Sequence, residues 1–260
     1  MKQYNNMVLE VLNNGSIRTD RTGVGTISVF TTYSKYDLRL GFPLLQSKKI
    51  DLKNIFHELT WFLRGETNIR TLKSPQLWSP WADPSGECGP IYGHQWRNFS
   101  GEDQIVKLLN GLKEDPYSRR HVVSAWNPKD LDSMVLPPCH TLFQCFIEGD
   151  YLDLSLYQRS ADVAIGVPYN IASYSLLLIL LARECGKTPR YFIHTTGDTH
   201  IYLNHVDKIK KQIAREPKPL PTVKIVSSGN LFELIDKDDF SDIMLEGYDP
   251  HPFIKYDLAV

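Results

Sequence analysis

Residues 136–174 read LPPCHTLFQCFIEGDYLDLSLYQRSADVAIGVPYNIASY, and this stretch decides the fold. Residues 141–147 and 151–157 carry the β-branched and aromatic side chains of strands, with Gly149-Asp150 between them as a hairpin turn. The second run alternates cleanly, which puts Leu152, Leu154 and Leu156 on one face. Residues 170–185 are then apolar for too long to be a strand and predict a helix buried on most sides. A hairpin whose apolar face is followed by such a helix implies a sheet with helices packed on it, an α+β arrangement.

The rest of the chain extends that pattern. Tyr4, Met7, Val8, Val11 and Leu12 recur at helical spacing and Gly15 follows as a stop. Residues 20–26, DRTGVGT, match neither a dinucleotide fingerprint nor a phosphate loop and read as a turn before a strand at 26–30. Asp51 is placed to cap a helix whose buried stripe is Leu52, Ile55, Phe56, Leu59, Phe62 and Leu63, ending at Gly65. Residues 77–99 hold three of the five tryptophans among glycine and proline turn formers, a wall for a flat ligand or a packed surface loop. A helix within 100–112, a strand at 121–126 and an amphipathic helix at 204–216 complete the outline. With no repeat, low-complexity tract or linker, the expectation is one α+β domain over residues 1–260, its sheet mixed or largely antiparallel.

Composition excludes several function classes. A formal net charge of −1 gives no basic field for nucleic acid, so nucleic-acid binding is not expected as the primary role. Cys88, Cys139, Cys145 and Cys185 form no Cys-x-x-Cys pair, which argues against a disulfide scaffold and a zinc site and suits a reducing, cytoplasmic setting. The opening MKQYNNMVLEVLNN has no signal-peptide character, and the longest apolar run, 176–182, is short of a membrane span. No metal is expected.

Several groups could carry chemistry. Cys139, approached through Pro137-Pro138, is a nucleophile if positive charge lowers its pKa, and otherwise a buried, inert thiol. Residues 158–162, Gln-Arg-Ser-Ala-Asp, offer Arg159 and Ser160 to an anion, with Arg21, Arg119 and Arg120 as further cations. The Asn170 amide presents the donor and acceptor that a uracil edge needs, or simply caps a helix. His200 and Tyr202 could bind a sugar hydroxyl or cap the helix that follows. A hydrolase lacks its nucleophile elbow here.

Taken together, DRTGVGT, HELTWFLRGETNI, LWSPWAD, GPIYGHQWR, SRRHVVSAWNP, LPPCH, QRSADVAIGVPYNIASY, GDTHIYLNH, REPKPLP and EGYDPHPFIK resemble the thymidylate synthase family nearly end to end. The resemblance implies deoxyuridylate (dUMP) and 5,10-methylenetetrahydrofolate as substrates and a sheet-to-sheet homodimer. It implies that Cys139 adds to C6 of uracil, with Glu58 promoting proton transfer and Tyr92 near C5. Arg159, Ser160 and Arg21 would hold the phosphate, Arg159 also favouring the Cys139 thiolate. Arg119 and Arg120 would cross into the partner's site. Asn170 would read the base, His200 and Tyr202 the ribose, and His140, Gln158 and Asp162 would complete the nucleotide site. The folate side would take Lys48, Leu77, Trp78, Trp81, Asp162, Ile165, Gly166 and Tyr169, with Ala259-Val260 closing over it.

Tyr169 stands where the family usually has phenylalanine, Ser79-Pro80 where acidic residues are commoner, and Ala161 where cysteine is frequent. A dUMP hydroxymethylase on the same fold is the alternative, disfavoured by Trp78 and the Ala259-Val260 end, both associated with excluding water. A primarily RNA-binding or regulatory relative is the other, disfavoured by near-neutral charge and the full set of catalytic positions.

Overall fold

The computed structural model describes residues 1–258. Its frame is a six-stranded mixed sheet in the order β1-β2-β6-β5-β4-β3. The strands are β1 (Ser16–Arg18), β2 (Thr26–Asp37), β3 (Val122–Ser124), β4 (His140–Glu148), β5 (Tyr151–Asp162) and β6 (Thr188–Tyr202). All neighbours pair antiparallel except β5 and β6, which run parallel because α5 (Gly166–Glu184) carries the chain back between them. The hairpin at Gly149-Asp150 joins β4 and β5 as the pattern predicts, and the mixed sheet agrees with the expected fold class.

One face of the sheet is covered by α1 (Lys2–Asn14) and α5. The apolar α5 is long enough to cross a bilayer on length and composition, yet most of it is buried in the core. Behind it lies α2 (Leu52–Leu63), started as expected by the Asp51 carboxylate, which accepts from the Lys53 N–H at 2.9 Å. The shorter helices α3 (Tyr92–Arg97), α4 (Gln104–Glu114), α6 (Val206–Ile213) and α7 (Leu231–Lys237), with the ribbon β7 (Thr222–Ile225)–β8 (Ile243–Glu246), fill the periphery.

The opposite face is open. The register sets Tyr33, Thr195, Tyr157 and Leu142 side by side across four neighbouring strands, hence on one face. Tyr33, Tyr157, Leu142 and Phe146 are all exposed there. At the centre of the sheet Thr31 has φ 72° and lies opposite Gly197, where the β2–β6 ladder is interrupted without a change of register. A Cβ on Gly197 would meet the Arg159 carbonyl at 2.8 Å, so only glycine lets β5 and β6 pack this closely beside the site.

Several boundaries differ from the sequence expectation. β2 continues to Asp37 rather than stopping at 30, and β6 runs through His200 and Tyr202 to the point where α6 is approached. Those two residues therefore belong to a strand and do not cap a helix. The core helix begins at Gly166, four residues before Asn170, because Pro168 sits in the first turn, where its missing N–H has no intrahelical partner to lose.

Candidate active site

The end of β5 and the start of β4 bring the sequence-predicted groups together. Along β5, Gln158, Ser160 and Asp162 alternate onto the helix-covered face, paired with Thr196, Asp198 and His200 of β6. Arg159 points the other way and turns back under the cysteine loop. Its guanidinium donates to the carbonyls of Pro138 (2.9 Å) and Pro137 (2.8 Å) and lies over the Trp126 ring. The Cys139 backbone is clamped from both sides. Its N–H donates to the Tyr92 hydroxyl at 2.7 Å, and its carbonyl accepts from the Arg159 N–H at 2.8 Å.

The thiol itself is half-buried, and that burial pushes it above its ordinary pKa; Asp162 adds to the effect, while Arg159 and Tyr92 oppose it. The expectation of a thiolate favoured by nearby charge therefore holds only as an offset: Arg159 lowers the pKa, but desolvation outweighs it. His140 does not supply the missing charge. It is buried, stacks on Tyr92 at 3.9 Å between ring centres and shares a 2.8 Å hydrogen bond with the Tyr174 hydroxyl. Burial pushes its imidazole down to about 3, so a cysteine–histidine ion pair of the hydrolase type is not built here.

Glu58 departs most from its appearance in the sequence. On the helical stripe alone it reads as a solvated flank residue of α2. Its Oε1 instead accepts from the Trp78 indole N–H at 2.8 Å, and burial pushes its carboxyl up to about 7. Trp78 is 5% exposed and packs edge-on against Tyr92 at 5.9 Å. The glutamate is thus linked through two aromatic rings to the cysteine backbone. A carboxyl titrating near neutrality suits general acid–base work.

Asn170 is in the second turn of α5 and caps nothing. No side chain caps α5; Asp162 instead holds the turn that leads into it, its carboxylate accepting from the N–H groups of Ala164 (2.9 Å) and Ile165 (3.2 Å). The Asn170 carbonyl oxygen accepts from the Gln158 amide at 3.0 Å, and its own NH2 makes no hydrogen bond among the described residues. A Cβ on Gly166 would stand 3.6 Å from that oxygen and 4.0 Å from the Asp162 Cβ. A larger residue at 166 would crowd the gap between the two polar groups.

The remaining cations have no side-chain hydrogen bond or ion pair among the described residues. Arg21 is exposed on a loop tied by Asp20, whose carboxylate accepts from the N–H groups of Thr22 and Gly25. Arg119 and Arg120 are exposed just before the edge strand β3, and their side chains make no hydrogen bond or ion pair among the described residues. Tyr202, half-buried, has its phenol raised by burial and by Asp162 and Asp20 and lowered by Arg21, so these groups share one neighbourhood. His200 shares a 3.0 Å hydrogen bond with Asp198 and meets Tyr202 edge-on.

On the other side of Asp162, Leu77, Trp81, Ile165 and Tyr169 are all half-buried. Trp81 lies 6.0 Å from Trp78, and Tyr169 is close enough to Asp51 and Glu58 for both to raise its phenol further beyond burial. A partly open aromatic and aliphatic wall of this kind fits a flat heteroaromatic ligand. Lys48 is drawn beneath the turn, donating to the Ala164 carbonyl at 2.7 Å with its amine over the Tyr256 ring. Burial lowers it to about 8. Ala259 and Val260 lie outside the described residues. Among the described residues, no group of three or more acidic, histidine or cysteine side chains could hold a metal. Trp126 and Tyr174 carry no signal in the sequence, since one closes a strand and the other belongs to a core stripe, and neither spacing marks a site partner.

A sequence model described as Thymidylate synthase matches residues 2–260. This chain belongs to the thymidylate synthase family. A curated relative in Mesoplasma florum, named Thymidylate synthase, is 46% identical over 292 aligned residues, and the alignment covers the whole of both chains. The thymidylate synthase reaction transfers and reduces a one-carbon unit, with methylenetetrahydrofolate as co-substrate and no metal.

Proposed function

We propose that this chain is a thymidylate synthase, a methyltransferase of nucleotide biosynthesis that converts dUMP to thymidylate. Methylenetetrahydrofolate supplies both the one-carbon unit and the hydride that reduces it. The observation that carries the reading is the Cys139 backbone held between Tyr92 and Arg159, with Arg159 and Asp162 both acting on the thiol and with the Asn170 NH2 making no hydrogen bond among the described residues.

Cys139 adds its sulfur to C6 of the uracil ring, which makes C5 nucleophilic; at the end of the reaction the same C6–S bond breaks. Arg159, Ser160 and Arg21 hold the dianionic phosphate, and Arg159 lowers the thiol pKa from beneath the loop. Asn170 offers its NH2 to the uracil O4 and its oxygen to N3–H, while His200 and Tyr202 take the ribose hydroxyl. Glu58, poised near pH 7, moves protons at the pyrimidine, and Tyr92 stands beside C5. Trp78, Trp81, Leu77, Ile165, Gly166 and Tyr169 receive the folate ring, and Asp162 faces both ligands. With Trp78 packed onto Glu58, the wall excludes water from the one-carbon centre, which favours methylation over hydroxymethylation.

Residues 1–260 act as one catalytic domain in a homodimer. The open sheet face, with Tyr33, Leu142, Phe146 and Tyr157 exposed, is the surface that pairs. Arg119 and Arg120, without a side-chain partner among the described residues, complete the partner's phosphate site. Four unpaired cysteines suit a cytoplasmic setting. In Cys139→Ser, turnover is expected to vanish while dUMP binding by calorimetry stays within a few-fold of the parent, since only the attacking atom changes. Substantial residual turnover in that variant removes Cys139 from the mechanism.

A further inference from the structure

Behind the base-reading amide lies a buried hydrogen-bonded chain that ends on a histidine the mechanism does not use. Gln158 donates through its NH2 to the Ser160 carbonyl at 2.9 Å and to the Asn170 oxygen at 3.0 Å. A backbone carbonyl only accepts, so this contact fixes which end of the Gln158 amide carries nitrogen. The Gln158 oxygen then faces Nε2 of His194, 2.9 Å away, and that nitrogen must carry the hydrogen. His194 is fully buried on β6, on the helix-covered face of the sheet, and lies 5.7 Å from the Phe192 ring. Its Nδ1 has no hydrogen-bond partner among the described residues. The alternative tautomer would bury an unpaired N–H there and turn a lone pair toward the Gln158 oxygen. Burial pushes the imidazole down to about 3, so it stays a neutral, one-sided donor.

We infer that His194 is a positioning residue that sets which way round Asn170 presents its amide, and through it the preference for a 4-oxo over a 4-amino pyrimidine. This rests on the reading of Asn170 as the group that meets the base. A uracil edge needs the Asn170 NH2 at O4 and its oxygen at N3–H. A cytosine edge needs the amide reversed. Reversal puts the Asn170 NH2 against the Gln158 NH2, donor against donor. Gln158 can relieve that clash only by turning over itself, which places its own NH2 against the His194 N–H and abandons the Ser160 carbonyl. The histidine therefore blocks the concerted flip from the far end, without touching substrate.

The test compares His194→Gln with His194→Met. The two side chains are similar in length and volume, but only glutamine places an N–H where Nε2 stands. Steady-state kcat/KM is measured for deoxyuridylate and deoxycytidylate, with thermal melting to establish folding and inhibition by inorganic phosphate to monitor the anion site. In His194→Met the uracil-to-cytosine ratio is expected to fall about tenfold or more, the scale of one lost buried hydrogen bond. His194→Gln should keep most of the ratio, and phosphate inhibition should be unchanged in both. Equal losses on both nucleotides, with the ratio preserved in the methionine variant, would overturn the inference and leave only a packing role. If His194→Met does not fold, His194→Phe, which keeps the ring beside Phe192, replaces it with the same expected and contrary outcomes. Absence of any uracil preference in the parent chain contradicts the reading of Asn170 itself, a different failure.

Discussion

Glu58 is a carboxylic acid held well above the range of its type. Burial raises its carboxyl from an ordinary 4.5 to about 7, while the Trp78 indole pulls the other way. The folded chain therefore holds this proton more tightly than the unfolded chain between pH 4.5 and 7, and stability from this group falls as pH rises across that window. Glu58→Gln removes the penalty of burying a charge: it should melt higher than the parent at pH 8 and lose the difference near pH 4. Its kcat should drop roughly 10²- to 10⁴-fold, and the inflection near pH 7 in the rate profile should disappear. An unchanged inflection would assign it to another group. None of this is legible at position 58, because the site is completed by Trp78, twenty positions along the chain and brought over α2 only by the fold. Cys139 is the reverse case. Its surroundings in sequence, two prolines before and a histidine after, mark a special loop, but the cation that matters is Arg159 on the paired strand and the histidine is uncharged.

At the scale of elements, strict periodicity makes the β4–β5 hairpin, α1 and α2 legible from the order of residues alone, since a period of 2 or 3.6 is set by local geometry. Element ends follow tertiary context instead. α5 starts early because Asp162 holds the turn at Ala164 and Ile165 just before the helix and Pro168 fits the first turn. β6 runs on through polar residues because β2 and β5 pair with it on both sides. This explains why Asp162, His200 and Tyr202 stand out by residue type while their strand setting does not. Away from the site, α4 offers a clean check on capping. The Asp103 carboxylate accepts from the N–H groups of Ile105 (3.1 Å) and Val106 (3.0 Å) and also receives the Arg97 guanidinium. Asp103→Ala should cost about 1–2 kcal/mol in denaturant unfolding while leaving KM for dUMP unchanged. A loss below a few tenths of a kcal/mol would show that the cap contributes little.

For the whole molecule, a six-stranded sheet with helices on one face and exposed tyrosine, leucine and phenylalanine on the other has an uncovered side. Phe146→Lys combined with Tyr33→Lys should shift the chain toward monomer in analytical ultracentrifugation and abolish turnover, because Arg119 and Arg120 no longer reach a partner's site. A fully active monomer would contradict shared sites. Sequence announces this face only as alternating apolar positions, since which side of a strand the helices cover is decided by the connections. The central claim is that the site methylates uracil in dUMP and does not merely bind it, and one measurement reaches it most directly. The chain is incubated with dUMP and methylenetetrahydrofolate, and the pyrimidine product is identified by mass. Thymidylate, with one dihydrofolate formed for each, is the predicted result; a hydroxymethyl nucleotide, or unaltered dUMP with the folate intact, would contradict the account.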